Sequence, residues 1–140
     1  MDMSMWKYFG ITLTDHRVMN PMSLAKIREL VDVLHLPEGG RVLDVACGKA
    51  EFLCLVAEQY GVTGTGIDLS PVTFREAQRN VAARQLTDRI GLLNMDGGAY
   101  ELERPNILDM ASCLGASWVY QGHKGTLEAL RGMVRPGGLV

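Results

Sequence analysis

Apolar positions fall into two periods along this chain, and the alternation between them predicts its elements. Leu24, Ile27, Leu30, Val31 and Leu34 recur at helical spacing after Asn20 and Pro21, so a helix is expected with Asn20 as its cap and Pro21 in its first turn. Pro37-Glu38-Gly39-Gly40 cannot extend it and marks a turn. A short, nearly continuous apolar run follows, Val42-Leu43-Asp44-Val45-Ala46, which is the pattern of a strand buried on both faces. A second helix carries Phe52, Leu55, Val56 and Tyr60 on one side and ends at Gly61. The alternation repeats, with a strand over 63–67, a helix opened by Ser70-Pro71 and running to 85, strands over 90–95 and 107–113, and a helix over 126–134.

Strands separated by helices pair in parallel, because a parallel pair needs a long crossover connection and that connection covers a face of the sheet. The fold expected is a doubly wound, mostly parallel α/β sheet with helices on both faces. Arg135-Pro136-Gly137-Gly138 reads as a turn, with Leu139-Val140 opening another strand. Such an end leaves the previous strand's edge unpaired, so the sheet is expected to be incomplete at its C-terminal end, through truncation or through pairing with another chain. Residues 1–40 form an N-terminal arm and helix, and residues 41–140 the core.

Composition narrows the function classes. With 47% hydrophobic and 21% charged residues in 140, the chain is composed like one globular domain. Its formal charge of -2 gives no footprint for gripping a phosphate backbone, so nucleic acid is not the expected partner. The opening Met1-Asp2-Met3-Ser4-Met5 lacks a signal peptide's basic and apolar regions, and no apolar run reaches membrane-spanning length. A cytoplasmic protein without membrane contact is expected; oligomeric state has no signature in the pattern. Cys47, Cys54 and Cys113 lack C-x-x-C spacing, and His16, His35 and His123 lie far apart, so neither a disulfide framework nor a metal site is expected.

Ligands of such sheets bind at the carboxyl ends of the strands. The turn after the first strand, Asp44-Val45-Ala46-Cys47-Gly48-Lys49-Ala50-Glu51, is rich in small residues that let backbone approach a ligand. Asp68 ends the second strand 20 positions beyond Gly48, the usual offset of a ribose-binding carboxylate. A small-residue loop and an acid suit either a dinucleotide or another adenosyl ligand. Glu51 occupies the position where a dinucleotide loop has its last glycine, and a negative charge at a helix N-terminus opposes a diphosphate. A phosphate-free, cationic nucleoside is compatible with it.

These residues bring out a family resemblance. Val42-Leu43-Asp44-Val45-Ala46-Cys47-Gly48-Lys49-Ala50 resembles motif I of class I S-adenosylmethionine-dependent methyltransferases, V-L-D-x-G-C-G-x-G. Gly66-Ile67-Asp68-Leu69-Ser70 is similar to motif II, Asn94-Met95-Asp96-Gly97 to the adenine-side acidic motif, and Leu108 through Ala116 to motif IV. Leu130-Arg131-Gly132-Met133-Val134-Arg135-Pro136-Gly137-Gly138 resembles the L-x-x-x-L-R-P-G-G run before the fifth strand. The resemblance covers about everything from Arg41 onward.

It implies a Rossmann-like fold, S-adenosyl-L-methionine as cofactor and a small-molecule methyl acceptor. Asp68, with Leu69 beside it, would take the ribose hydroxyls, and Asp96, with Gly97, the adenine amino group. Ala46, Cys47 and Gly48 would present backbone to the methionine part, and Cys113 and Leu114 backbone near its amino group. Asp44 would orient the loop or reach the ammonium through water. Taken singly, Asp68 and Asp96 also read as capping or turn acids, and Asp44 and Cys113 as packing residues. Ala46 and Ala50 stand where the family has glycine, at a cost of about 1 kcal/mol or more wherever the position needs positive φ. The lead segment with Trp6, Tyr8, Phe9, Thr14, Asp15, His16, Arg17, Met19 and Asn20 is either a lid over the acceptor pocket or an arm packed on the sheet. Trp118, Tyr120 and His123 either line that pocket or pack.

Transfer of a methyl group from a sulfonium is a direct in-line displacement, so no residue is assigned as catalytic; His16 and His123 are the histidines considered for a general base. Two other classes stay open at this point: a non-catalytic S-adenosylmethionine-binding or regulatory module, and a nicotinamide-dependent oxidoreductase.

Overall fold

The computed structural model describes Tyr8 and residues 11–140. Trp6 and Phe9 of the lead segment lie outside the described residues. Among those described, no helix is long and apolar enough to cross a membrane, and no cluster of His, Cys, Asp and Glu is placed to hold a metal ion.

The elements in chain order are α1 (Leu24–Asp32), β1 (Arg41–Val45), α2 (Glu51–Tyr60), β2 (Thr63–Asp68), α3 (Pro71–Ala83), β3 (Ile90–Asn94), β4 (Leu108–Ser112), α4 (His123–Arg131) and β5 (Val134–Leu139). All pairs in the five-stranded sheet are parallel, in the order β3-β2-β1-β4-β5. Strand order therefore reverses between β1 and β4. That is where an open α/β sheet parts at its carboxyl end to admit a ligand.

Two apolar layers sandwich the sheet. Val42 and Met110 face the layer of Ile27, Val31, Leu53, Val56 and Ala77, which covers one side with α1, α2 and α3. Leu43, Val45 and Ala111 face the opposite layer, with Leu130 of α4 and Val134. The period of two along β1 and β4 then fixes the site, because Asp44 must project to the same side as Val42, and Ser112 to the same side as Met110. Asp44 and Ser112 are direct register partners at the switch point. Gly66, opposite Asp44 on β2, admits α2 and the motif I turn: a Cβ there would meet Cys47 Sγ at 3.0 Å and Leu53 Cδ2 at 3.1 Å.

Two expected boundaries are corrected. α1 starts at Leu24, with Ser23 as its cap accepting from the Lys26 amide, whereas Asn20 accepts from the Met22 amide in a local turn of its own. Asn and Ser are near-equal caps, so sequence alone could not choose between them. At the C-terminal end, Val134–Leu139 already forms β5, with Pro136 and Gly137 inside an irregular register against β4, so β4 has a neighbour on its outer side. The proline is tolerated because it sits at a bulge on an edge strand. Asp109 locks this corner, accepting from the Arg41 amide at 2.8 Å and from Arg135 Nε at 2.7 Å.

Candidate functional site

A cleft of about 340 Å³ opens at the carboxyl ends of β1 and β4. Asp44, Ala46, Cys47 and Asp68 line its sheet side, Leu114 follows from β4, and Val18 and Met19 close it from the N-terminal arm. A smaller recess of about 50 Å³ is lined by Ala46, Asp68, Leu69, Asp96, Gly97 and Trp118. Ala46, Asp68 and Trp118 border both, so the two expected acids, Asp68 and Asp96, face one common hollow.

The turn that forms the floor takes left-handed backbone at Ala46 (φ 56), Gly48 (φ 58) and Ala50 (φ 59). The alanines thus do occupy positions that favour glycine. Gly48 needs its lack of side chain twice, for its φ and because a Cβ would lie 2.9 Å from Met19 Cγ. Ala46 is partly exposed, whereas Ala50 is buried in the core. Ala46→Gly is therefore expected to raise stability by about 0.5–1 kcal/mol. Ala50→Gly is expected to be near neutral, since losing a buried methyl of about 0.8 kcal/mol offsets the relief. Urea titration of the full-length protein checks both; loss of stability in Ala46→Gly would contradict the assignment of strain.

Asp68 joins the two motif turns. Its Oδ2 accepts from the Gly48 amide and its Oδ1 from the Ser70 amide, both at 2.9 Å. Burial pushes its carboxyl above the ordinary aspartate value, while these two bonds pull it down. Asp44 is 3% exposed and accepts from the Ser112 hydroxyl at 2.7 Å. Burial is the main cause of its pKa rising to about 7; the Ser112 bond lowers it and the Asp68 charge adds to the rise. Asp96 Oδ1 accepts from the Gly98 amide, capping the short 3₁₀ turn Gly97–Ala99. Its turn role is therefore real and coexists with a place on the recess.

The remaining expected residues divide. Leu69 and Gly97 line the recess, and Leu114 the cleft. Cys113 packs into the second apolar layer with its thiol on the Ala116 carbonyl, away from the cleft lining. Burial pushes the Cys113 thiol to about 11 and that of Cys54 to about 12, and raises Cys47 well above its ordinary value, so all three stay protonated at neutral pH. His123 is exposed at the start of α4, and His16 borders an adjoining hollow with Arg79 and Glu76, which shares Arg17, Lys49 and Glu51 with the cleft. Trp118 is 52% exposed, and Tyr120 instead braces the recess, its hydroxyl donating to the Gly97 carbonyl at 3.1 Å.

Glu51 behaves differently from its sequence reading. It is 3% exposed, with Oε1 accepting from Arg17 at 2.9 Å and Oε2 from Arg84 at 2.6 Å. Its charge is thus neutralised and cannot repel a diphosphate. Lys49, overlooked in the sequence, binds Glu76 at 2.8 Å and the carbonyls of Leu13 and Thr14 at 2.8 and 2.9 Å. Only tertiary contacts disclose these partners, which lie 27 to 36 positions away in the chain for Lys49 and comparably far for Glu51.

A doubly wound parallel sheet with a glycine-containing turn and an acid at its switch point defines a nucleoside-binding α/β protein. The pattern of the family described as "Methyltransferase domain" matches residues 42–138. The chain belongs to the class I S-adenosylmethionine-dependent methyltransferases. It is similar to a methyltransferase of Thiobacillus denitrificans solved with S-adenosyl-L-homocysteine, with a TM-score of 0.88 and 36% identity over 95% of this chain and 53% of the other. The protein YjhP of Escherichia coli (strain K12) is 34% identical over 134 residues, 96% of this chain and 53% of its own length. A demethylmenaquinone methyltransferase of Symbiobacterium thermophilum is 32% identical over 114 residues, 79% of this chain and 45% of that protein. The chain therefore spans about half the length of these relatives. Family membership, rather than the charge of Glu51, favours an adenosyl ligand over a dinucleotide.

Proposed function

We propose that this chain forms the S-adenosylmethionine-binding portion of a methyltransferase whose acceptor is a small molecule. The observation that carries the cofactor assignment is Asp68, which faces a hollow shared with Asp44 on one side and Asp96 on the other. The residues fit this cofactor. Two buried or half-buried carboxylates, Asp44 and Asp68, give the cleft a negative lining suited to a cation. The lining cations among the described residues, Arg17 and Lys49, are engaged by Glu51 and Glu76, which leaves a phosphate without a ready partner.

In this assignment Asp68 receives the ribose hydroxyls beside Leu69, and Asp96 with Gly97 receives the adenine amino group. Ala46, Cys47 and Gly48 hold the methionine part by backbone, Leu114 borders it, and Asp44 orients the loop or meets the ammonium. Cys113 acts through backbone only. The cofactor supplies an electrophilic methyl group on a sulfonium. The chain's part is to position and to exclude water, and Leu13, Val18, Met19, Ile27 and Phe52 give the cleft the apolar wall this needs. No described side chain is assigned as a general base.

The acceptor class rests on that mostly apolar wall, on the overall charge of -2, and on the name of the Symbiobacterium relative, a demethylmenaquinone methyltransferase. Isothermal calorimetry on the full-length protein tests the cofactor assignment. S-adenosyl-L-homocysteine is expected to bind in the micromolar range or tighter, and NADH not to bind. No heat with the former, or tight binding of the latter, would overturn it.

A further inference from the structure

We infer that Arg17, Lys49 and Glu51 form a reversible clasp that holds residues 11–20 across the cofactor cleft and sets how fast ligands exchange there. This rests on the cleft being the cofactor site proposed above. Three core-to-arm bonds make the clasp: Arg17 to Glu51 at 2.9 Å, and Lys49 Nζ to the Leu13 and Thr14 carbonyls at 2.8 and 2.9 Å. They spring from the motif I turn itself, because Lys49 follows Gly48 and Glu51 opens α2. What they hold down is the outer wall, for Leu13, Val18 and Met19 line the cleft and Met19 lies against Gly48.

Every core partner in this clasp has a second partner within the core. Glu51 keeps Arg84 at 2.6 Å and the Asn80 amide at 3.3 Å, and Lys49 keeps Glu76 at 2.8 Å. On the arm, Arg17 is 53% exposed, so water replaces Glu51 when the pair separates. Lifting the arm thus leaves no buried charge alone, which is the condition for a contact that opens and closes rather than one that welds. Arg84 is itself shared between Glu51 at 2.6 Å and Glu58 at 3.1 Å, and it stays bonded to Glu51 when Arg17 leaves. Ion pairs of this exposure are weakened by salt.

Stopped-flow dissociation of S-adenosyl-L-homocysteine and of 5′-methylthioadenosine, which lacks the amino-acid part, tests the clasp in the full-length protein. Arg17→Ala is expected to speed release of both ligands about fivefold with an unchanged Tm, and Arg17→Lys to restore most of the wild-type rate. Lys49→Met is expected to speed release about tenfold. Added sodium chloride accelerates wild type and leaves Arg17→Ala nearly unaffected. Equal rates in wild type and variants overturn the clasp. Faster release of S-adenosyl-L-homocysteine alone also overturns it, assigning Arg17 to the ligand's carboxylate instead. Hydrogen exchange of amides 11–20 reads arm opening without ligand: faster exchange in Arg17→Ala supports the clasp even where neither ligand binds, an outcome that defeats only the cofactor assignment.

Discussion

Replacing Asp68 by alanine in the full-length protein is expected to weaken S-adenosyl-L-homocysteine binding by about 100-fold or more. A carboxylate receiving a diol makes two charge-assisted hydrogen bonds, each contributing about 1.5–3 kcal/mol, and alanine supplies neither. The same carboxylate also holds the Gly48 and Ser70 amides, so the substitution also loosens the turn that floors the cleft. Asparagine is an informative intermediate. It keeps one acceptor oxygen but turns a donor toward the other amide, so about tenfold to 100-fold is expected. Calorimetry of the three proteins checks the order, and a thermal melt without ligand separates loss of the turn from loss of the contact. Affinity within threefold of wild type in a folded Asp68→Ala protein would remove this residue from the site.

Asp44→Asn is expected to stabilise the ligand-free protein while impairing its binding. Burial lifts the Asp44 pKa to about 7, against about 4 in an unfolded chain. Between those values the folded state holds a proton that the unfolded state has released, so the contribution of Asp44 to stability is full below about pH 4 and is lost as pH rises through 7. Asparagine carries no charge to bury and still offers an oxygen to the Ser112 hydroxyl. The variant should match wild type near pH 4 and exceed it by about 3–4 kcal/mol at about pH 8, from a difference of about three units. Ligand binding should run the other way. The ionised carboxylate attracts an ammonium, so wild-type affinity rises as pH climbs through 7, and that of the variant stays low and flat. Urea titrations and calorimetry across this range decide it. A variant no more stable than wild type at high pH would show that the Asp44 charge is better solvated than its position indicates.

Both effects trace to features that the sequence made partly visible. The offset of Asp68 from Gly48 was legible because strand, turn and helix lengths in a parallel α/β unit are narrowly constrained. The motif I turn was legible through its small residues, and so was the question of its alanines, since φ at those positions decides whether a methyl group is harmless. Glu51 misled for a definite reason. A formal charge in a sequence carries no partner, and its arginines come from the arm and from the end of α3. Cys113 entered the sequence reading through its backbone, and its neighbours in the motif could not say which apolar layer receives its thiol.

The boundaries that moved were decided by near-degenerate local chemistry. Asn20 and Ser23 are near-equal caps by chemistry; in the fold Ser23 caps α1, while Asn20 lies beside Gly115, its Cβ 3.0 Å from the position a Cβ there would take. Pro136-Gly137-Gly138 reads as a turn by composition, yet pairing with β4 draws the segment into a strand. By itself the sequence determined the alternation of elements, the parallel sheet, the family and the order of its motifs, because these depend on periodicity and short-range spacing. Only the tertiary structure decided that Asp44 is buried against Ser112, that Glu51 is neutral in effect, and that the arm is fastened over the cleft, because each depends on which distant side chains the packed sheet brings within hydrogen-bonding reach.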